Sequence, residues 1–376
     1  SLQAAAAAAA AARPSKTFAE RADRGVAPLL MAPEPRRPRW LPTTGPGNLN
    51  VPPEKWGMTL RQFAAFIAAC MLCHKKWEEL SNDSDRKYID PLKGRYVGYV
   101  NLYQICDHYV KPWTRNLGNS IALLMNNKKP LKAEVMISHA WGESMSEALE
   151  ALLGRAAAIG MSLDTVIWFC TFAQYQPGDM EGDCGPGVAA QLALDPFKKV
   201  IASKPPYGMI VLHTERSELY SRLWCVYEVS EATKSDVTPY AAVSMYYLWW
   251  LIEQSPDGEL REDKLSVDSE NASCFSKDDE AMIKGKIREA GGFDKLNTAI
   301  FQFRKAAVRR MFKAASTFND WGREAMGTDR EETFERLAES VHYAADFVSM
   351  HCLFALAVEH EDKKYMEKIK SFAMES

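Results

Sequence analysis

The residues whose types could do chemistry lie at the two ends of one stretch, residues 133–228. The stretch opens with Val135-Met-Ile-Ser-His-Ala-Trp-Gly-Glu143, in which a short apolar strand ends in a polar turn. It closes with Tyr220-Ser-Arg-Leu-Trp-Cys-Val-Tyr-Glu228, which places the Glu228 carboxylate one helical turn after Trp224 and Cys225. Ligands of a parallel sheet bind at the carboxyl ends of its strands. The turn and the helical carboxylate are therefore candidate parts of a single site.

Alternating strands and helices are predicted to position these residues. The first strand is followed by a capping-box pattern, Ser144 with Glu147, and by a helix that ends at Gly160. The continuously apolar sequence Val166–Cys170 is typical of a parallel strand covered on both faces. Further elements are predicted as a helix over 189–202, a strand over 208–212, a helix over 220–233 and a strand over 241–248. This alternation predicts an α/β fold with a parallel sheet.

The segments on either side of this stretch have helical patterns. Apolar residues recur at helical spacing over 60–80, and further helices are predicted over 278–290, 293–318 and 331–372. The first residues are rich in Ala, Pro and Arg, which predicts an extended or disordered tail. We therefore expect a tail at 1–55, a helical subdomain at 56–130, an α/β domain at 131–252 and a helical region at 253–376.

Two short motifs leave alternatives open. Cys70-Met-Leu-Cys-His74 matches the c-type haem attachment pattern, but both thiols fall on an apolar helical face, so core packing is the alternative. The glycine-rich segment from Ala173 to Gly187 has backbone N–H groups that suit a phosphate. Because it lacks the lysine of a P-loop, a surface loop is the alternative. No metal site is predicted.

Composition excludes several classes of function. The chain has 376 residues, of which 47% are hydrophobic and 25% charged, as in a soluble globular protein. Its net charge of −3 gives no basic field for nucleic acid, and no apolar run approaches the roughly 20 residues of a transmembrane helix. Irregularly spaced cysteines favour a reducing compartment, so we expect an intracellular, cytoplasmic protein. The basic N-terminal segment leaves organelle import after cleavage of a targeting peptide as an alternative.

Three blocks of the chain carry a resemblance to a known family. They are Val135-Met-Ile-Ser138 with Gly142-Glu143, Ile201-Ala-Ser203 through Met209-Ile-Val-Leu212, and Ser221-Arg-Leu-Trp-Cys-Val-Tyr-Glu228. With these blocks, residues 133–250 resemble a Toll/interleukin-1 receptor (TIR) domain, in the style of TIR-like proteins of algae and other protists. The last block is the most specific of the three.

The resemblance implies a flavodoxin-like parallel sheet flanked by helices. It also implies hydrolysis of NAD at the nicotinamide–ribose bond, with Glu228 as the catalytic residue, because enzymatic TIR domains use the glutamate of this block. A carboxylate beside a ribosyl cation can hydrogen-bond the ribose and stabilise the developing positive charge. NAD would be the substrate, and no cofactor would be required. The candidate nucleotide-binding residues are Ser138, Trp141, Gly142, Glu143, Trp168 and Trp224.

The opening turn departs from the TIR pattern. It is one residue longer than in plant TIR domains, and Ala140 or Trp141 stands where an arginine is often found, so phosphate contacts are not accounted for. Fold alone does not fix function. Two other functions therefore stay open. One is a non-catalytic scaffold that binds protein partners, or assembles with itself, through the tail and the helical flanks. The other is a nucleotide sensor that binds without hydrolysis.

Overall fold

A five-stranded sheet lies at the centre of the fold. The computed structural model describes residues 35–82, 87–90, 95–177, 183–244, 247–248, 250–251, 261–274 and 277–325. Its strands are β1 (Met58–Thr59), β2 (Lys87–Asp90), β3 (Arg95–Gly98), β4 (Val135–Ser138), β5 (Val166–Phe169), β6 (Met209–His213) and β7 (Pro239–Val243). Strands β4 to β7 are parallel, and β1 pairs antiparallel with β5. Strands β2 and β3 form a separate antiparallel pair.

The strand order in the central sheet is β1-β5-β4-β6-β7. The chain adds β5 on one side of β4 and then β6 on the other, so Ile137 is paired with both Phe169 and Ile210. In open α/β sheets, ligands bind at the carboxyl ends of the strands where the order reverses in this way. The mixed α/β fold with a mainly parallel sheet, predicted from the sequence, is confirmed.

Helices connect the strands and cover the sheet. They are α1 (Leu60–Leu72), α2 (His74–Ser81), α3 (Leu102–Ile105), α4 (Lys111–Thr114), α5 (Ile121–Met125), α6 (Met145–Ala158), α7 (Cys170–Ala173), α8 (Val188–Leu192), α9 (Pro196–Ala202), α10 (Leu223–Lys234), α11 (Lys277–Glu289) and α12 (Phe293–Ala325). A π-helical turn, Cys106–Val110, joins α3 to α4. The sheet connections β4-α6-β5 and β6-α10-β7 are the strand–helix–strand units that a parallel sheet requires.

The strands contribute to two hydrophobic cores, one on each face of the sheet. Ile137 and Phe169 belong to the first core, whereas their neighbours Met136 and Trp168 belong to the second. Successive strand residues point to opposite faces, so a continuously apolar strand needs cover on both. Helices α1 and α6 pack in the first core, and α9, α10, α11 and α12 pack in the second.

Several predicted elements have different bounds in the structure. The helix predicted over 60–80 divides into α1 and α2 at Cys73, whose ψ of 55° lies outside the helical region. The helix predicted over 189–202 divides into α8 and α9. Asp195 has a left-handed φ of 50°, and Pro196 starts α9 without a backbone N–H. The strand predicted over 241–248 lies at Pro239–Val243, where it pairs with β6.

The region 56–130, predicted as a helical subdomain, shares its core with the sheet. Strand β1 extends the sheet at one edge, and Phe63 of α1 stacks on Phe169 of β5 with ring centroids 5.1 Å apart. Thr59 caps α1: its hydroxyl accepts a hydrogen bond from the Gln62 amide, and the Gln62 side chain accepts one from the Thr59 amide. These N-terminal helices are therefore part of the α/β fold.

The C-terminal helices pack on the second core through Ile283, Ile287 and Ile300. Residues 1–34 of the tail predicted at 1–55, and the helix predicted over 331–372, lie outside the described residues. Within the part of the chain that the structure describes, no helix is both long and apolar enough to cross a membrane.

Candidate functional site

The carboxyl ends of β4 and β5 meet the start of α10 at the reversal in strand order. Ser138 is the last residue of β4, and Cys170 directly follows β5. The Cys225 thiol, in the first turn of α10, donates a hydrogen bond to the His139 carbonyl oxygen across 3.3 Å. The two ends of the stretch 133–228 are therefore in contact, and their side chains form one site.

The carboxylate of Glu228 is buried in this site, with 5% of the residue exposed. Burial has the largest effect on its pKa and raises it to about 7, whereas the Ser138 hydroxyl and the Arg222 guanidinium act to lower it. Glu228 Oε2 and Ser138 Oγ have no well-formed hydrogen bond to any described residue. Buried polar atoms are usually hydrogen-bonded, so these two oxygen atoms are candidates to form hydrogen bonds with a ligand at the sheet edge.

Arg222 is a cation that the sequence reasoning did not assign to the site. It immediately precedes α10. Burial alone would lower its pKa, but the groups of Cys225, Tyr103, Cys170 and Glu228 outweigh burial and the net change is upward. Its Nη1 is buried without a hydrogen-bond partner among the described residues. An unpaired guanidinium donor suits an anionic group such as a phosphate. The sequence feature that could have indicated Arg222 is its position within the segment Tyr220–Glu228.

A second group of polar side chains surrounds His139. Its Nε2 lies 3.0 Å from Cys170 Sγ, and its Nδ1 lies 3.5 Å from Glu143 Oε1. The imidazole stacks on Phe169, with ring centroids 4.1 Å apart. Burial lowers the pKa of His139 well below its ordinary value and raises that of Glu143 well above it. The lowered pKa leaves the His139 imidazole neutral near pH 7. Of these residues only Glu143 was predicted for the site, although His139 lies in the same turn.

Trp141 and Gly142, both predicted to contact a nucleotide, lie beside the site. Trp141 is partly buried and packs against Tyr103, with ring centroids 5.3 Å apart. Tyr103 is 48% exposed and is an electrostatic neighbour of Arg222, so this aromatic pair extends from the site to solvent. A Cβ on Gly142 would come within 3.2 Å of the Ser217 hydroxyl. The turn at Gly142 therefore has little room for a larger residue.

Of the two other tryptophans predicted to contact a nucleotide, Trp168 packs inside the second core and Trp224 is partly buried against it. Trp168 is fully buried, and its indole N–H donates to the carbonyl oxygen of Pro53 across 3.1 Å. Trp224 stacks on Phe197, with ring centroids 5.3 Å apart and an interplanar angle of 29°. Both ring systems contact protein, and the structure does not bring them to Glu228. Their side chains position β5 and α10 rather than a ligand.

The Glu147 carboxylate, predicted to cap its own helix, bonds to other elements. It accepts hydrogen bonds from the Glu215 amide, across 2.6 Å, and from the Ser244 hydroxyl. Burial raises its pKa to about 7, and these two hydrogen bonds oppose the increase. The carboxylate thus ties α6 to the segments that follow β6 and β7. This role depends on side chains distant in sequence, which a local capping pattern does not include.

The structure places the two cysteines of the Cys70–His74 motif in or against the first core and describes only part of the glycine-rich segment. Cys70 is fully buried in the first core, and the Cys73 thiol donates to the carbonyl oxygen of Ala69 across 3.5 Å. Among the described residues, no group of three or more His, Cys, Asp or Glu side chains is arranged to hold a metal ion. Part of the glycine-rich segment, residues 178–182, lies outside the described residues.

Comparison with known proteins gave no match: no family model, no curated protein and no solved structure is significantly similar to this chain. The residues and geometry of the site are therefore the structural evidence for a function.

Proposed function

We propose that this chain is a TIR-like nucleotide-binding protein that hydrolyses NAD at the nicotinamide–ribose bond, with Glu228 as the catalytic residue. The observation that carries the proposal is the buried Glu228 carboxylate at the carboxyl edge of a parallel sheet, whose Oε2 has no well-formed hydrogen bond among the described residues. The parallel strands follow the order β5-β4-β6-β7, and this order supports a flavodoxin-like sheet with its ligand at the reversal beside β4.

The chemistry needs a negative charge close to the ribose. When the C1′–N bond of NAD breaks, nicotinamide leaves with the bonding electrons and C1′ gains positive charge. An ionised Glu228 would stabilise that charge, as carboxylates do in glycoside hydrolysis. Water then adds to C1′ and loses a proton, which gives ADP-ribose. The ionised form of Glu228 is favoured by Ser138 and Arg222 against the effect of burial.

The surrounding residues suit the rest of a dinucleotide. The unpaired Nη1 of Arg222 is a donor for the diphosphate, and it replaces the arginine that the opening turn lacks. Trp141 and the half-exposed Tyr103 offer aromatic surface for a base or for nicotinamide at the solvent side of the site. The buried hydroxyl of Ser138 is a partner for a ribose hydroxyl.

The direct test is to incubate the purified full-length chain with NAD and to measure nicotinamide by chromatography. We expect release that increases as the pH rises through about 7, since the ionised carboxylate is the active form. Glu228→Gln should reduce the rate on the order of 10²-fold or more, because it removes charge stabilisation while keeping the side-chain shape. Glu231→Gln is the matched control, since Glu231 lies one turn further along α10 and pairs with Lys234.

Equal release by the wild-type chain and Glu228→Gln would refute the catalytic assignment. Binding of NAD with no release of nicotinamide, measured by calorimetry, would replace the hydrolase with a nucleotide sensor. No binding of NAD or ADP-ribose would refute both, and would favour a scaffold that acts through protein partners.

A further inference from the structure

Three side chains of the site are not used in the proposed steps of NAD cleavage. They are Cys170, His139 and Glu143. The imidazole of His139 lies between the other two side chains, with 3.0 Å from its Nε2 to Cys170 Sγ and 3.5 Å from its Nδ1 to Glu143 Oε1. A nucleophile, a base within hydrogen-bond reach and a third group that orients the base are the components of nucleophilic catalysis. The series comes from two segments: the turn after β4, which carries His139 and Glu143, and the residue directly after β5, Cys170.

We propose that Cys170 is a second catalytic nucleophile, with His139 as its general base and Glu143 as a positioning residue, and that the site transfers or hydrolyses acyl groups of anionic acyl donors. The proposal does not rest on NAD hydrolysis. Its three reacting and positioning side chains differ from those used on NAD, only Arg222 is shared as an anion-binding group, and the proposal can be tested without NAD.

The environment of His139 fixes the ring in the orientation that this reaction needs. The imidazole is 3% exposed and stacked on Phe169, and the Cys225 thiol bonds to its backbone carbonyl. For Nε2 to accept the thiol proton, the neutral ring must carry its own proton on Nδ1, the atom that faces Glu143. Neither His139 Nδ1 nor the carboxyl oxygens of the buried Glu143 have a well-formed hydrogen bond to a described group, and the 3.5 Å between Nδ1 and Oε1 leaves the two groups facing each other.

Cys170 is the less buried of the two cysteines at this edge. It is partly exposed, whereas Cys225 is buried and already donates to the His139 carbonyl. Both carry free thiols. Catalytic cysteines lie in partly exposed sites near a base or a cation. Arg222 provides the cation, since it acts electrostatically on Cys170, and it is the reason why an acyl donor with a carboxylate or phosphate is favoured.

The chemical steps balance with the groups present. Cys170 Sγ attacks the carbonyl carbon as its proton moves to His139 Nε2, and the resulting tetrahedral adduct expels an alcohol or thiol that takes this proton from His139. The product is a thioester on Cys170. Water, activated by His139, then attacks the thioester and releases a carboxylic acid and the regenerated thiol. No oxidant, metal or cofactor takes part.

The test uses the full-length chain with two activated esters, neutral 4-nitrophenyl acetate and anionic 4-nitrophenyl succinate. We expect rapid release of 4-nitrophenolate and one acyl group on Cys170, identified by peptide mass spectrometry. Cys170→Ala should abolish this acylation. His139→Gln should slow it on the order of 10²- to 10⁴-fold, the usual contribution of a general base. Cys184→Ser is the matched control, because Cys184 is an exposed cysteine and its loss should leave the rate unchanged.

The pH profile separates a base from a merely structural histidine. Burial raises the pKa of Cys170 to about 12, so an unassisted thiol reacts only through a rare thiolate whose concentration rises tenfold per pH unit. His139→Gln should show this tenfold rise between pH 7 and 9. The wild-type rate should be almost flat over the same range, because neutral His139 removes the proton during attack.

Faster acylation by the succinate ester than by the acetate ester is expected, and Arg222→Gln should remove that preference. Glu143→Gln should lower the acylation rate constant with little change in KM. Circular dichroism and urea unfolding establish that each variant is folded. The proposal is overturned if the acyl group is found on Cys184 or on lysines, if His139→Gln is acylated at the wild-type rate, or if both proteins have the same pH profile.

Discussion

Replacement of Glu228 by glutamine should stabilise the fold at pH 8.5 and leave its stability unchanged at pH 4. The carboxyl group is almost fully buried, and its pKa in the folded chain is about 7 rather than the ordinary 4.5. Between these values the folded chain binds more protons than the unfolded chain, so the free energy of unfolding falls as pH rises from about 4.5 to about 7. Glutamine is neutral at every pH and avoids this loss.

The magnitude follows from the two pKa values. At roughly 1.4 kcal/mol per pH unit, ionising a carboxyl whose pKa has risen from 4.5 to about 7 costs about 3 kcal/mol. The full cost is present above pH 7, where both states are ionised, and it vanishes below pH 4.5, where both are protonated. Carboxylates with such raised pKa values are often found at functional sites, where their charge acts on a ligand.

The assay is urea unfolding, followed by circular dichroism, of the wild-type chain and of Glu228→Gln at pH 4, 5.5, 7 and 8.5. The difference between the two proteins isolates Glu228, because other buried groups such as Glu147 titrate equally in both. Glu289→Gln is the control: Glu289 is an exposed residue at the end of α11, and its replacement should change stability little at any pH. A difference that is constant with pH, or one that favours the wild type at pH 8.5, would refute the reasoning.

Two other perturbations test the packing that holds the site. Gly208→Ala should cost more than about 3 kcal/mol, since Gly208 has a φ of +66° and a Cβ there would lie 2.3 Å from the Thr238 carbonyl oxygen. Gly160→Ala, at a φ of +72° with open space, should cost about 1 kcal/mol, and equal losses of stability would contradict this. Arg304→Lys should cost about 2 kcal/mol, because the buried guanidinium bonds to Glu218 across 3.0 Å. Recovery of that loss in 1 M salt would show a surface ion pair instead.

Local sequence patterns were sufficient to predict the strands and helices of the parallel part of the sheet. Val166–Phe169 is apolar at every position, which only a strand covered on both faces explains, and the glycine at Gly160 ends α6 with a φ of +72°. These are local signals, set by side-chain type and backbone preference. The resemblance to TIR domains singled out Glu228, and the sequence also predicted that its helix starts at the sheet edge where the strand of Ser138 ends.

The tertiary structure decided which side chains share the site and what state they are in. Trp168 and Trp224 have the same indole side chain as Trp141, but the pleat of β5 and the face of α10 direct them toward the second core. Arg222, His139 and Cys170 become neighbours only when β4, β5 and α10 converge. Burial then moves the pKa values of Glu228 and His139 in opposite directions. Desolvation depends on the whole surrounding volume, and that volume is filled by residues far apart in the chain.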